Sequence, residues 1–165
     1  MTAPPVTCHT RPVHVVDLAA RDTHPLRMAV LRDGTASDEV VFDGDELATT
    51  FHLGMRDDGQ LIAISSWMER RHPDFPTRPG YQLRGMATDP ARRGTGAGAL
   101  LLTAGVERCR ARGAALVWAR ARMSALGFYT RHGFETRGPT YVDPTTGLPH
   151  TDIVLTNFQV VSDTT

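Results

Sequence analysis

Gly94, Gly96 and Gly98 stand at every second position between a stretch with strand character, Tyr81 to Thr88, and a leucine-rich stretch with helical periodicity. Alternating glycines let the backbone approach a ligand with no Cβ in the way. They also leave several N–H groups pointing outward where the helix starts. Those amides and the helix dipole make an anion site suited to a pyrophosphate. Arg92 and Arg93 lie beside the loop and can add charge-assisted contacts. A flexible linker is the alternative. Interior glycines, however, cost a helix about 1 kcal/mol each relative to alanine, and three within five residues argue against a linker.

The pattern on either side predicts a mixed α/β sheet with one internal parallel crossover. Pro12 to Leu18 reads as a short strand, and His24 to Arg32 as a helix with Leu26, Val30 and Leu31 inward. Leu47, Phe51, Leu53 and Met55 alternate as one face of a strand. Asp57-Asp58-Gly59 then turns the chain into a partner strand, Gln60 to Met68. An irregular loop from His72 to Gly80 precedes Tyr81–Thr88, which Asp89-Pro90 stops. Gly98 to Arg112 reads as a helix with Leu102, Val106 and Cys109 stacked inward. Ala114 to Arg120 is a strand, and Ser124 to His132 a short helix that Ser124 could cap. Strands follow from Phe134 and from Thr151 to Phe158.

The chain of 165 residues fits one domain, over residues 11–158, with a flexible arm at 1–10 and a tail at 159–165. Its 18 basic and 18 acidic residues balance, which argues against a nucleic-acid partner. Every basic residue is arginine, a bias that a GC-rich genome also produces. Cys8 and Cys109 match no zinc or CxxC spacing, and the histidines show no HxxxH pattern, so no metal is assigned. No stretch approaches a membrane span or an export signal, which predicts a cytoplasmic protein with no membrane partner.

Which phosphate ligand the glycine loop suits can be narrowed. A P-loop needs a lysine, and the chain has none. A dinucleotide fingerprint wants an acid at the end of the next strand, where Trp118-Ala119-Arg120-Ala121-Arg122 stands instead. Arg93-Gly94-Thr95-Gly96-Ala97-Gly98 is similar to the R/Q-x-x-G-x-G/A signature of the Gcn5-related N-acetyltransferases (GNAT). The likeness extends to the preceding strand, the Asp89-Pro90 break and the leucine-rich helix. The segment from Ala121 through Phe128-Tyr129 to Gly133-Phe134 resembles that family's "A…FYxxxGF" segment, and Gly147-Leu-Pro-His150 resembles a "GxPH" turn of some bacterial members. The match covers about residues 80–155; the first half agrees only in element order.

The resemblance implies a single-domain, mostly antiparallel sheet with a splayed parallel strand pair and flanking helices. It implies acetyl-CoA as the acyl-donor cosubstrate, with no metal, and a primary amine on a small molecule or peptide as the acceptor. The amine would attack directly, with no covalent enzyme intermediate. Met86, Ala87 and Thr88 would meet the pantetheine arm and the thioester carbonyl. Arg93, Gly94, Thr95, Gly96, Ala97, Gly98 and Ala99 would meet the pyrophosphate, and Phe128 and Tyr129 the region of the sulfur. Tyr129 matches the family's tyrosine that protonates or orients the departing thiolate. The family offers no fixed base, and Glu69, Asp74 and His150 are the candidates here. Arg84, Arg120 and Arg122 are candidates to hold a carboxylate on the acceptor. The family often dimerises through late strands, and Thr151–Phe158 reads as an exposed apolar edge, so a homodimer is expected. A non-catalytic acyl-CoA-binding or regulatory module on the same fold is the competing expectation.

Overall fold

The computed structural model describes residues 13–158; the expected arm, the tail and Cys8 lie outside the described residues. Seven strands form one sheet in the order β1-β2-β3-β4-β5-β7-β6. They are β1 (His14–Leu18), β2 (Phe51–Asp57), β3 (Gln60–Glu69), β4 (Gly80–Thr88), β5 (Leu116–Arg122), β6 (Glu135–Val142) and β7 (Pro149–Leu155). Only β4 and β5 run parallel. The helices α2 (Ala97–Ala111) and α3 (Leu126–Arg131) follow β4 and β5. This is the mixed, mostly antiparallel sheet with one parallel pair that the sequence predicts.

Local chemistry explains the main joints. Asp58 and Gly59 both take positive φ, 47° and 81°, which suits the right-handed twist of the β2–β3 hairpin. Leu47 does not join β2: the strand starts at Phe51, and Leu47 sits 60% exposed in a preceding turn. On β3, Trp67 stacks parallel to Phe51 at 5.9 Å and presses on α2 at Gly105, where a Cβ would lie 1.9 Å from the indole. Leu101, Leu102 and Cys109 complete that face of α2 in the core.

The segment expected as a regular helix from His24 is irregular. It passes from a 3-10 turn (Ala20–Thr23) through α1 (His24–Leu26) into a π turn (Arg27–Leu31). Its fully buried side chain is Arg27, while Leu26, Val30 and Leu31 are half-buried. Arg27 donates to Asp45 twice (2.6 and 3.0 Å), to the Val40 carbonyl (2.7 Å) and to Ser66 (2.7 Å). His52 contacts Ser66 Oγ and the Asp45 carbonyl at 2.7 and 2.9 Å. This network fixes the loop around Phe42 and Asp45 onto β2 and β3. Burial alone would raise the Asp45 carboxyl. The hydrogen bonds from Arg27 and Phe42 and the Arg27 charge outweigh burial and hold it below its ordinary value.

Two further expectations are corrected. Ser124 does not cap α3: a 3-10 turn, Met123–Ala125, leads into that helix with no side-chain cap. The last strand, β7, is not an edge. It is paired on both sides, with β5 and β6, and Ile153, Val154 and Leu155 are buried. The edge is β6, and Pro139 at its middle removes an N–H that a partner strand would need. The edge argument for a homodimer therefore falls away.

Candidate active site

The parallel pair β4–β5 is joined only from Gly80↔Leu116 to Leu83↔Ala119, although both strands continue, to Thr88 and Arg122. The two strands splay beyond that point. A β-bulge on β4 marks the start of the splay: Ser66 pairs with Arg84 and Ile64 with Ala87, so Gly85 and Met86 together face Ser65. Gly85 takes φ 59°, the left-handed bulge conformation, and its missing Cβ leaves room for Phe42 and Arg27.

A cleft of about 450 Å³ opens at the splay. Its walls are β4 from Gln82 to Met86, β5 from Ala119 to Arg122, the Leu31–Asp43 side, and the loop leading into β7. The expected residues Arg84, Met86, Arg120, Arg122, Tyr129 and His150 all line it. Ala87 and Thr88 continue β4 just beyond Met86.

The glycine loop lies at the far end of β4. Gly94 and Gly96 are left-handed, at φ 77° and 85°, with open space where a Cβ would be. Gly96 is the N-cap of α2 and receives no side-chain cap. The first bond into the helix is Leu100 N–H to the Gly96 carbonyl, at 3.1 Å, so Ala97, Gly98 and Ala99 present their amides at the helix start. A Cβ on Gly98 would touch Thr88 Oγ1, Met86 Cε and Phe128 Cζ at 3.5–3.7 Å, which brings loop, β4 and α3 to one point. Arg93 is exposed beside the loop. Arg92 instead forms an ion pair with Asp57.

Tyr129 is buried, edge-on to Phe128 and Phe134, with ring centroids at 5.2 and 5.5 Å. Burial pushes its hydroxyl well above the ordinary phenol range, so it keeps its proton through neutral pH. His150 is buried and also lines the cleft, in register with Arg122 on one side and Tyr141 on the other. Its Nδ1 lies 2.9 Å from the Leu148 carbonyl. A carbonyl only accepts, so Nδ1 donates to it, which leaves Nε2 as the ring nitrogen that can take a proton. Nearby, burial would raise Asp143; hydrogen bonds from Thr146 and from the Thr145 amide hold it below its ordinary value.

Two candidate bases lie elsewhere. Glu69 is exposed and does not line the cleft. Strand alternation puts it with Trp67, on the α2 side, while Met68 and Arg70 face the cleft side. Asp74 is exposed and pairs with Arg137 at 2.9 Å, a hydrogen bond that holds its carboxyl below its ordinary value.

The cleft is basic in a chain of balanced charge. Arg32, Arg70, Arg84, Arg120 and Arg122 line it, against Glu39, Asp43 and Asp143. Sequence reasoning missed Arg32, Arg70 and Asp143. Arg70 follows a strand end and Asp143 a hairpin start, positions that read as ordinary surface. Among the described residues no group of three or more His, Cys, Asp or Glu is placed to hold a metal ion. No helix among them is long and apolar enough to cross a membrane.

The Acetyltransferase (GNAT) family model matches residues 16–134. YitI of Bacillus subtilis (strain 168), described as an uncharacterized N-acetyltransferase, is 30% identical over 135 residues, covering 82% of this chain and 91% of its own. Among solved structures, Escherichia coli ElaA has a TM-score of 0.70 at 17% identity, covering 87% of this chain and 99% of its own. FeeM, an N-acyl amino acid synthase from uncultured soil microbes, has a TM-score of 0.72 at 16% identity, covering 88% and 91%. Those two structures share the fold, and the family match and the B. subtilis relative go further: this chain belongs to the GNAT family of acetyltransferases.

Proposed function

We propose that the chain transfers the acetyl group of acetyl-CoA to a primary amine of a small molecule or peptide, by direct attack and in the cytoplasm. The observation that carries this reading is the β4–β5 splay, with Tyr129 and His150 lining one cleft and the glycine loop at the end of β4. In this reading the amides from Gly94 to Ala99, with Arg93, hold the pyrophosphate. The backbone at Met86, Ala87 and Thr88, released from β5, binds the pantetheine arm, and an N–H there polarises the thioester carbonyl. Phe128 packs beside them.

His150 Nε2 takes a proton from the attacking nitrogen, which bonds to the carbonyl carbon as the carbon–sulfur bond breaks. The electron pair leaves with sulfur. Tyr129 donates a hydrogen bond to the departing thiolate. A phenol ordinarily titrates near 10 and a thiol near 8.5, so Tyr129 stabilises the thiolate without giving up its proton. That revises the general-acid role implied by the resemblance. Arg84, Arg120 and Arg122 draw in an acceptor that carries a carboxylate.

Thiol release from acetyl-CoA, followed across a panel of amines, tests the reading. Amine-dependent release supports it. Binding of CoA without release by any amine would make the chain a non-catalytic acyl-CoA module. The donor site has its own test. Acetyl-CoA should raise Tm while NAD and ATP do not, and Arg93→Glu should weaken CoA binding. Arg93 is the cleaner position for this, because any side chain at Gly96 would be forced into φ 85°.

A further inference from the structure

The arginines of the cleft fall into two sets. Arg122 donates to the Leu31 carbonyl, Arg32 Nε donates to the Glu39 carbonyl at 2.5 Å, and Asp143 lies within the field of Arg122. That set lies beside the Leu31–Glu39 segment and Asp143. Arg70, Arg84 and Arg120 form the second set. Arg70 donates to the Gln82 amide oxygen at 3.1 Å, and Arg84 to the Asp43 carbonyl at 3.3 Å. Arg120 lies 5.9 Å over the Trp118 ring. The ion pairs among the described residues involve none of these three.

Register brings them together. Met68 pairs with Gln82, Ser66 with Arg84, and Gln82 with Trp118, so positions 82, 84, 118 and 120 share the cleft face, with Arg70 just past the end of β3. Burial and then the charges of Arg70, Arg27 and Arg120 pull Arg84 below its ordinary value, against the opposing charge of Asp45. Phe42 fixes the direction of Arg84, whose guanidinium lies 4.6 Å over its ring, while Arg27 occupies the same ring at 3.9 Å. Three like charges lining one cleft, in none of the ion pairs among the described residues, are unfavourable until an anion joins them. Planar guanidinium forks suit carboxylate and phosphate oxygens.

We infer that Arg70, Arg84 and Arg120 form a subsite for a second anionic group on the acceptor, so that the amine substrate is a dianion of the acidic amino-acid class, with a carboxylate or a phosphate at its far end. One anionic group meets Arg122 beside the reacting amine and the other meets this subsite. The inference rests on the N-acyl transfer reading.

Pairs of charged and neutral acceptors test it with the whole chain. Initial rates are measured for glutamate against glutamine, and for O-phosphoserine against serine, at saturating acetyl-CoA. The charged member of at least one pair should have the higher kcat/KM, on the order of 10²-fold for a lost charge-assisted partner; the pair that shows the preference tells carboxylate from phosphate. Arg70→Gln, at an exposed position, should shrink that preference through KM. Equal rates within both pairs, or faster turnover of the neutral members, would overturn the inference while leaving acyl transfer intact. Glutarate, which has no amine, separates the two readings further. Its binding by titration calorimetry, weakened at least tenfold by Arg70→Gln, supports the subsite even if no amine is acetylated. Turnover of glutamine with no glutarate binding would contradict the subsite alone.

Discussion

A Cβ built on Gly85 would lie 2.8 Å from Cε2 of Phe42, so the bulge that starts the β4–β5 splay and the loop that walls the cleft are fitted to each other. Gly85 also holds φ 59°, which a side chain adopts at a cost. Gly85→Ala should destabilise the fold by about 1–3 kcal/mol and lower activity further than that loss explains, because the splay itself shifts. Urea unfolding and initial rates on the same samples check this. Phe42→Ala in the Gly85→Ala background should recover part of the stability, a coupling of about 0.5–3 kcal/mol. Strict additivity would show that the two residues do not constrain each other.

The buried Arg27–Asp45 pair makes a sharper claim on stability. Asp45→Asn leaves Arg27 buried without its counter-charge, and should cost about 3–5 kcal/mol. The Asp45 carboxyl is held below its ordinary value in the folded chain. Its contribution is therefore complete above the unfolded carboxylate value of about 3.9 and is lost as pH falls through the lower folded value. Wild type should lose stability on acidification below about pH 4, and the variant should lose less over the same interval. Parallel acid limbs in the two proteins would contradict this.

Gly105→Ala tests packing against propensity. In a free helix alanine gains about 1 kcal/mol over glycine. Here the added Cβ would fall 1.9 Å from Trp67 Cζ2, inside the indole of a fully buried residue. The substitution should be net destabilising, by about 1–3 kcal/mol, as read from the urea midpoint.

Tyr129→Phe and His150→Gln probe the chemistry. His150→Gln should lower kcat by roughly 10²-fold as a lost base, and Tyr129→Phe by roughly 10²-fold as a lost hydrogen-bond donor to the departing thiolate, each with a smaller change in the KM for acetyl-CoA. Wild-type turnover by Tyr129→Phe would leave that ring a packing role beside Phe134.

Much of this was legible in the sequence because the signals are local. Gly94-x-Gly96-x-Gly98, the Asp58-Gly59 turn and the periodicity of α2 each report on a few consecutive residues. Arg84, a charge in an otherwise apolar stretch of β4, stood out among the candidates, and it lines the cleft. Gly85, an isolated glycine inside a strand, was a readable bulge signal that went unused. Arg27 was not readable. An arginine on a short helix is ordinarily solvated, and only the partnership with Asp45, 18 residues on, makes its burial tolerable. The position of β7 was likewise hidden. Whether an apolar strand is an edge depends on where the next hairpin arm lies, and β6, exposed along most of its length, gave no sign that it covers β7.

Single-turnover mass spectrometry tests the proposed chemistry most directly. Enzyme in excess over acetyl-CoA is mixed with glutamate, quenched at intervals, and the enzyme, CoA and acceptor are each weighed. Direct attack in the splay predicts free CoA and N-acetylated acceptor appearing together in equal amounts, with the enzyme mass unchanged throughout and CoA release absent without amine. An acetylated enzyme formed before the product, or acetyl-CoA bound yet intact with glutamate and with every amine of the panel, would contradict it.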